Sequence, residues 1–171
     1  MSARLPFDPV ERAGISWAKH YPDAGEEIYD AMRAVTSIMR AQQILIANLD
    51  SALKPFNLTF SRYEALVLLS FSSTGALPLS KIGERLQVHA TSVTNVIDRL
   101  EASGFVIREP NPRDGRGTLA VITEDGRAVV DRATRELHHN AFGLRGLAPE
   151  QLRQLFAILR RLRVDAGDFT D

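Results

Sequence analysis

The longest regular pattern of apolar residues lies between residues 26 and 53. Its members recur at alternating spacings of four and three and include one polar residue: Ile28, Met32, Val35, Met39, Gln42, Ile46, Leu49 and Leu53. This spacing places all of them on one side of an α-helix about four heptads long. A stripe of that length is typical of a helix that packs on more than its own small domain.

Shorter helices are predicted on either side of this segment. Asp8 followed by Pro9 predicts the start of a helix that reaches about residue 20. One side of this helix carries Val10, Ala13 and Trp17.

The helix after the stripe is predicted to open at Thr59 or Ser61, since Ser61 and Glu64 have the spacing of a capping box. Its expected buried residues are Tyr63, Leu66, Val67 and Leu69.

The centre of the chain predicts two short helices followed by a β-hairpin. The helices are Ser80–Leu86 and Thr91–Ser103, separated by a tight turn, and Gly104 is placed to end the second. Residues 105–108 and 119–122 have the composition of paired strands, and residues 109–117 between them are polar and rich in Gly and Pro. The hairpin is therefore expected to carry a long, mobile loop.

Two further helices are predicted near the C-terminal end. Thr123 is a candidate cap for a helix that reaches about Asn140, and Pro149 opens the last one. The last helix repeats leucine at three- and four-residue spacing: Leu152, Leu155, Leu159 and Leu162.

The amino-acid composition favours some classes of protein and excludes others. The 171 residues are 44% hydrophobic and 7% aromatic, which favours a packed and mainly helical chain. The absence of cysteine excludes disulfides and thiolate metal sites. We expect no membrane span, since an apolar run of about 18 residues is missing. Residues 1–7 lack a secretory pattern, so the expected location is cytoplasmic.

The charge is balanced, with 21 basic and 21 acidic side chains. The central segment 78–118 has six basic residues and five acidic ones: Lys81, Arg85, Arg99, Arg108, Arg113 and Arg116 against Glu84, Asp98, Glu101, Glu109 and Asp114. DNA-binding domains usually carry an excess of positive charge. DNA binding by this chain would therefore depend on where its basic groups are placed.

The second central helix is the candidate for reading DNA. Its polar side presents small residues that suit contacts with base edges, phosphates and thymine methyl groups in the major groove: Ala90, Thr91, Ser92, Thr94 and Asn95. Arg62 and Arg99 are candidate phosphate contacts, as is Arg113 in the hairpin loop. Arg116 is the candidate for the minor groove, and Asp114 is placed to orient it. A solvated helix face and a solvated charged turn would have a similar composition.

The ordered set of motifs resembles the MarR family of bacterial regulators. The matching segments are Leu79–Leu86, Thr91–Gly104, and Asp114-Gly115-Arg116 leading into Val121-Ile122-Thr123. The resemblance extends over about residues 28–164. His89 and Gln87 depart from it, because the family often has Ser or Asp at the helix cap and Gly in the turn.

The resemblance implies a mainly α (α+β) fold, a winged helix-turn-helix with long N- and C-terminal dimerisation helices. The implied organisation is an N-terminal extension with a short helix (1–24), a dimerisation helix (25–58), the DNA-binding lobe (59–123) and C-terminal helices completing the dimer region (124–171). A homodimer of this kind is expected to bind a pseudo-palindromic operator, as a repressor, and to leave duplex DNA when a small aromatic or anionic effector binds.

The extra N-terminal helix with Trp17 also resembles the urate-responsive branch of the family. In that branch a Trp lies near the ligand together with an acid on the second main helix. The matching residues here are Trp17, Glu64 and its neighbour Tyr63. The acid is Glu where the branch has Asp, and Trp17 could equally anchor the extension on the dimer core.

No pattern points to an enzyme, a cofactor or a metal site. Gly-rich phosphate loops, a Ser nucleophile elbow and a His-Glu-x-x-His motif are all missing. His138 and His139 are adjacent, so they point in different directions on a helix and chelate one metal poorly. The prediction is a non-enzymatic, DNA-binding regulator. The alternative is a dimeric small-molecule-binding or protein-interaction module that has lost DNA affinity.

Overall fold

A computed structural model describes residues 4–112, 114 and 117–170 of the chain. It divides into two compact units, residues 1–48 and 49–171, and one continuous helix contributes to both. The helices in chain order are α1 (Pro9–His20), α2 (Glu26–Leu53), α3 (Phe60–Phe71), α4 (Leu79–Leu86), α5 (Ala90–Ala102), α6 (Glu124–His139) and α7 (Pro149–Asp165). The strands are β1 (Ala76–Pro78), β2 (Val106–Pro110) and β3 (Thr118–Ile122).

The first unit contains α1 and most of α2. Asp8 caps α1 by accepting a hydrogen bond from Val10 N at 2.8 Å, with Pro9 in the first turn, as the sequence predicted. The buried position of α1 is Gly14, where an added Cβ would lie 2.9 Å from the Arg33 side chain. Tyr29, 5% exposed, donates its hydroxyl proton to the Tyr21 carbonyl oxygen. These contacts hold the N-terminal helix to the start of α2.

The second unit is built around one apolar core. Its most deeply buried side chains come from five helices and two strands, among them Leu53, Leu66, Leu69, Ile82, Ile97, Leu100, Val106, Ile122 and Leu137. The strands form an antiparallel sheet in the order β1-β3-β2. In the β2–β3 hairpin, Val106 lies opposite Ile122 and Pro110 opposite Thr118. The predicted winged helix-turn-helix and mainly helical fold class are confirmed.

The apolar stripe on α2 has two different environments. Leu49 and Leu53 are 6% and 0% exposed and belong to the core of the second unit. Further back along the helix, Ile28, Val35 and Met39 are 49%, 55% and 54% exposed in the single chain. The stripe therefore exists as predicted, and these three of its side chains are about half exposed in the single chain.

Helix α7 also carries apolar side chains that are exposed in the single chain. Phe156, Ile158 and Leu162 are 63%, 68% and 55% exposed, and Leu155 is 37% exposed. Of the repeated leucines, Leu152 and Leu159 are partly buried within one chain. Among the described residues, no helix has both the length and the apolar composition needed to cross a membrane.

Of the two predicted starts of α3, Thr59 is confirmed as the N-cap, whereas the start at Ser61 with its capping box is wrong. The helix begins at Phe60, one residue before Ser61, and its N-cap Thr59 makes no side-chain cap bond. The amide of Phe60 instead donates a 2.7 Å hydrogen bond to the Asp50 carboxylate. Asp50 lies on α2, ten residues earlier, so local sequence spacing could not identify it as the capping group.

Strand β1 was not predicted. It has three residues, and its pairing with β3 is decided by tertiary contact. The predicted cap of α6 is confirmed, because Thr123 Oγ1 accepts a hydrogen bond from Gly126 N at 3.0 Å. The same hydroxyl donates to Gly104 O at 2.8 Å, which ties α6 to the end of α5. The loop before β2 is thereby fixed against the helix that follows β3.

Candidate nucleic-acid interface and cavity

Helix α5 has a buried side and an exposed side. Val93, Ile97 and Leu100 are at most 2% exposed and belong to the core. The residues predicted to read the major groove are all exposed: Ala90, Thr91, Ser92, Thr94 and Asn95. The helix is thus held by the lobe on one side and free on the other, which is the geometry a groove-reading helix requires.

The start of α5 is capped by His89. Its Nδ1 accepts a hydrogen bond from Thr91 N at 3.2 Å and lies 3.1 Å from the Thr91 hydroxyl. A neutral imidazole nitrogen accepts as a Ser or Asp oxygen does, so the departure from the usual cap residue keeps the function of the cap. Two residues earlier, Gln87 adopts a left-handed conformation with φ 54°. Its side-chain amide donates a hydrogen bond to Asp168 O.

The hydroxyl of Thr94 donates to Ala90 O at 3.1 Å, one helical turn earlier. Because its proton is used inside the helix, Thr94 presents a methyl group and an acceptor oxygen to the exterior. A thymine methyl or a cytosine amino group would suit that surface.

Three of the predicted DNA-binding residues lie together. Arg62, Asn95 and Arg99 line one open depression with Thr59 and Ser61. The Arg62 guanidinium is held there by donating to Asn57 O at 3.1 Å and Thr59 Oγ1 at 3.2 Å. Arg99 makes no ion pair with another described residue. A phosphate group beside α5 would meet two guanidinium groups at this place.

The role of Arg108 was not predicted from the sequence. This β2 residue donates to Asp98 Oδ1 at 2.6 Å and to a Glu101 carboxylate oxygen, so it joins the base of the hairpin to α5. Partial burial lowers the pKa of Arg108, but its bonds to Asp98 and Glu101 outweigh that effect and the net pKa is raised. The signal was present in the three-residue spacing of Asp98 and Glu101, which places both acids on one side of α5.

Several acidic groups near the exposed side of α5 are paired with basic side chains. Arg108 neutralises Asp98, which lines the same shallow depression as Thr91, Thr94 and Asn95. On α4, Lys81 pairs with Glu84 at 2.6 Å. These ion pairs offset acidic groups near the exposed face, and Arg62 and Arg99 remain beside Asn95.

The hairpin loop is closed by backbone hydrogen bonds. Asn111 N donates to Gly117 O at 3.0 Å, Asp114 N to Asn111 O at 3.1 Å, and Gly117 N to Asp114 O at 2.8 Å. Arg113 and Arg116 lie outside the described residues, so their contacts with DNA and the orienting role of Asp114 stay predictions.

A cavity of about 650 Å³ lies in the second unit between α3 and α6. Its α3 wall includes Phe60, Tyr63, Glu64, Val67 and Phe71, and its α6 wall includes Val130, Asp131, Thr134 and His138. The volume is in the range of small-molecule sites. Tyr63 and Glu64, predicted as ligand-binding residues, both line it. Asp131 and His138 were missed because only the packing of α3 on α6 brings them there.

Hydroxyl groups on the cavity wall bond to the protein. Thr134 Oγ1 donates to Val130 O at 2.7 Å and lies 3.0 Å from the Tyr63 hydroxyl oxygen. Since Thr134 has one proton, Tyr63 must be the donor in that pair. Burial raises the pKa of the Glu64 carboxyl above its ordinary value.

Trp17 lies on α1 in the first unit, where it is 42% exposed and its ring centroid is 5.2 Å from that of Tyr21. Its predicted role in ligand binding stays a prediction. Among the described residues, no group of three or more His, Cys, Asp or Glu side chains could hold a metal ion.

Comparison with known proteins identifies the family. Residues 59–118 match the model of the MarR family. The HTH-type transcriptional regulator YkoM of Bacillus subtilis (strain 168) is 35% identical over 104 residues, which are 60% of this chain and 67% of that protein. The chain belongs to the MarR family of transcriptional regulators. Members of this family are regulators and not enzymes, as the sequence predicted.

Solved structures agree with this assignment. Sco5413, a MarR family transcriptional regulator from Streptomyces coelicolor, is 58% identical, covers 83% of this chain and 99% of its own, and superposes with a TM-score of 0.77. Sco3205 from the same organism, solved in complex with DNA, is 26% identical with a TM-score of 0.71, covering 78% of this chain and 89% of its own. The resemblance to the urate-responsive branch stays a prediction.

Proposed function

We propose that the protein is a homodimeric repressor that binds a pseudo-palindromic operator and leaves it when a small aromatic effector binds. The observation that carries the proposal is the exposed face of α5, where polar groups and two guanidinium groups are presented together. A MarR-family relative solved with DNA supports it.

In the proposed complex, α5 enters the major groove. Ala90, Thr91, Ser92, Thr94 and Asn95 contact base edges. Arg62 and Arg99 bind the phosphates that flank the groove, and Arg113 adds a further phosphate contact. Arg116, oriented by Asp114, enters the adjacent minor groove. Base contacts supply sequence preference, whereas the arginine contacts supply most of the affinity and its salt dependence.

The proposed dimer region consists of the helix segment 25–58 and the C-terminal helices 124–171. Residues 59–123 form the DNA-binding lobe, and residues 1–24 are an N-terminal extension. The support is the large apolar surface that one chain leaves exposed on α2 and α7. Association of two chains would remove this surface from water, which is the main driving force for forming stable dimers. Two lobes related by a two-fold axis would bind half-sites about one DNA turn apart.

Fluorescence anisotropy with duplex DNA from the gene's own upstream region tests this function, with an unrelated duplex as the reference. We expect tight binding to the upstream duplex and a linear fall of log K with log salt, at about 0.9 per phosphate contact. Arg99→Gln should weaken binding to both duplexes and reduce that slope by about 0.9. Arg132→Gln, an exposed change on α6, is the matched control and should change neither quantity.

Asn95→Ala should weaken binding to the upstream duplex more than to the unrelated one, because it removes a proposed base contact. Absence of binding to either duplex at low salt would refute the function and favour a dimeric module without DNA affinity.

A further inference from the structure

The cavity between α3 and α6 has a definite chemical character. Aromatic rings from Phe60, Tyr63, Phe71 and Phe142 line it, and Phe71 is 82% exposed. Phe60 and Tyr63 stack with their ring centroids 6.2 Å apart. Such rings present faces of negative electrostatic potential, which attract organic cations and stack with aromatic ligands.

The charged groups of the cavity wall are carboxylates. Glu64 on α3 and Asp131 on α6 both line the cavity, and neither has a hydrogen bond or ion pair with another described residue. Within the described part of the chain, the lining contains no Lys or Arg. A bound carboxylate ligand would therefore meet two acids with no Lys or Arg to compensate it, and the repulsion would oppose its binding.

The hydroxyl groups of the cavity wall favour a ligand that donates hydrogen bonds. Ser70 donates its proton to Val67 O at 2.8 Å, Thr134 to Val130 O, and Tyr63 to Thr134. Because these protons are used inside the protein, the oxygens remaining for a ligand are acceptors. The imidazole of His138 is the exception, since one of its nitrogens can donate.

We propose that this cavity binds an aromatic organic cation, such as an aryl-substituted amine, and that this class of molecule is the effector. The ammonium group would lie between the carboxylates of Glu64 and Asp131, and the aromatic part would pack among the phenylalanine rings. The sequence led us to expect a small aromatic or anionic effector. The cavity wall agrees with an aromatic effector, but its carboxylates disfavour an anion. The role as effector rests on the proposed DNA-binding function, whereas binding itself does not.

Burial raises the pKa of Glu64, which reflects the cost of an uncompensated carboxylate in this place. A bound cation would remove part of that cost by favouring the ionised carboxylate. The site consequently gains more from a cation than from a neutral molecule of the same shape.

Three probes with one ring system separate the contribution of charge from that of shape. They are 2-naphthylmethylamine (a cation at neutral pH), 2-naphthylmethanol (neutral) and 2-naphthoate (an anion). Isothermal titration calorimetry with the full chain at pH 7.5 and without DNA measures their affinities. We expect the amine to bind most tightly and the carboxylate most weakly, with about tenfold or more between amine and alcohol, the scale of one hydrogen bond to a charged group.

The variants Glu64→Gln and Asp131→Asn locate the site. Each should reduce the preference for the amine over the alcohol severalfold and leave alcohol binding nearly unchanged. Asp125→Asn is the matched control, since this exposed acid lies on α6 but does not line the cavity. Binding of the carboxylate as tight as that of the amine would overturn the proposal. The proposal would also be overturned if neither variant changed the affinity for the amine. No measurable binding of any probe at millimolar concentration would overturn it as well.

A second measurement separates the cavity from its regulatory role. The amine is added to the preformed complex with the upstream duplex and release is followed by anisotropy. Release that is lost in Glu64→Gln supports the effector role, and release by the carboxylate alone overturns it. If the protein binds no DNA, the proposed function fails, but calorimetry still decides whether the cavity selects cations.

Discussion

Replacement of Arg108 by Gln should destabilise the lobe and weaken DNA binding by different routes. The guanidinium bridges β2 to two acids of α5 and is 24% exposed, whereas Asp98 and Glu101 are 56% and 41% exposed. Partly exposed ion pairs contribute about 0.2–1 kcal/mol each. Because one side chain makes both pairs, the variant should lower the free energy of unfolding by about 0.4–2 kcal/mol.

Urea denaturation at a fixed protein concentration measures this loss. Arg85→Gln is the matched control, since this exposed arginine on α4 has no ion pair in the described part of the chain. In a background carrying Asp98→Asn and Glu101→Gln, the partners of Arg108 are gone, so Arg108→Gln should cost almost nothing more. A double-mutant cycle of this design isolates the coupling energy.

The effect on DNA distinguishes positioning from direct contact. If Arg108 holds the hairpin base against α5, its loss should raise Kd severalfold at constant salt without changing the slope of log K against log salt. A direct phosphate contact would instead reduce that slope by about 0.9. A reduced slope, or a stability cost that persists in the background without the two acids, would refute the reasoning.

Three further predictions concern packing, association and pH. Gly126→Ala should lower the free energy of unfolding by about 1–3 kcal/mol, because a Cβ there would overlap the Phe105 carbonyl oxygen and lie 2.8 Å from the Ile122 side chain; an unchanged urea midpoint would contradict this. Ile158→Glu should shift the proposed dimer towards monomer in analytical ultracentrifugation, since this side chain is 68% exposed on the apolar side of α7. Arg153→Glu on the polar side is its control, and equal sedimentation of the two variants would count against α7 as an interface. The pKa of the Glu64 carboxyl is raised in the folded protein above its reference value of 4.5. The protonated carboxyl therefore favours the folded state, fully at pH values below 4.5, and this stabilisation is lost as pH rises through the folded-state pKa. Glu64→Gln should therefore stabilise the protein more at pH 7 than at pH 4 in thermal denaturation, and a pH-independent difference would exclude the effect.

Much of the fold could be predicted because local signals agreed with the global structure. Asp8-Pro9, Thr123 and Pro149 act over one helical turn, and the structure places a helix start beside each of them. The apolar spacing of α5 predicted its buried residues, and the same periodicity left Ala90, Thr91 and Asn95 on the opposite side.

The order of these elements was enough to indicate the MarR family and the exposed face of α5.

Tertiary structure decided what depends on residues distant in the chain. Asp50 caps α3 from another helix, and β1 is a strand because β3 lies beside it. Arg108 meets Asp98 and Glu101 when the hairpin folds back on α5.

The cavity shows the same division. Tyr63 and Glu64 could be selected from the sequence, but Asp131 joins them only through the packing of α3 on α6. A single sequence records which side of each helix is apolar. It does not record which helix covers that side, and that choice determines the charges that share a cavity.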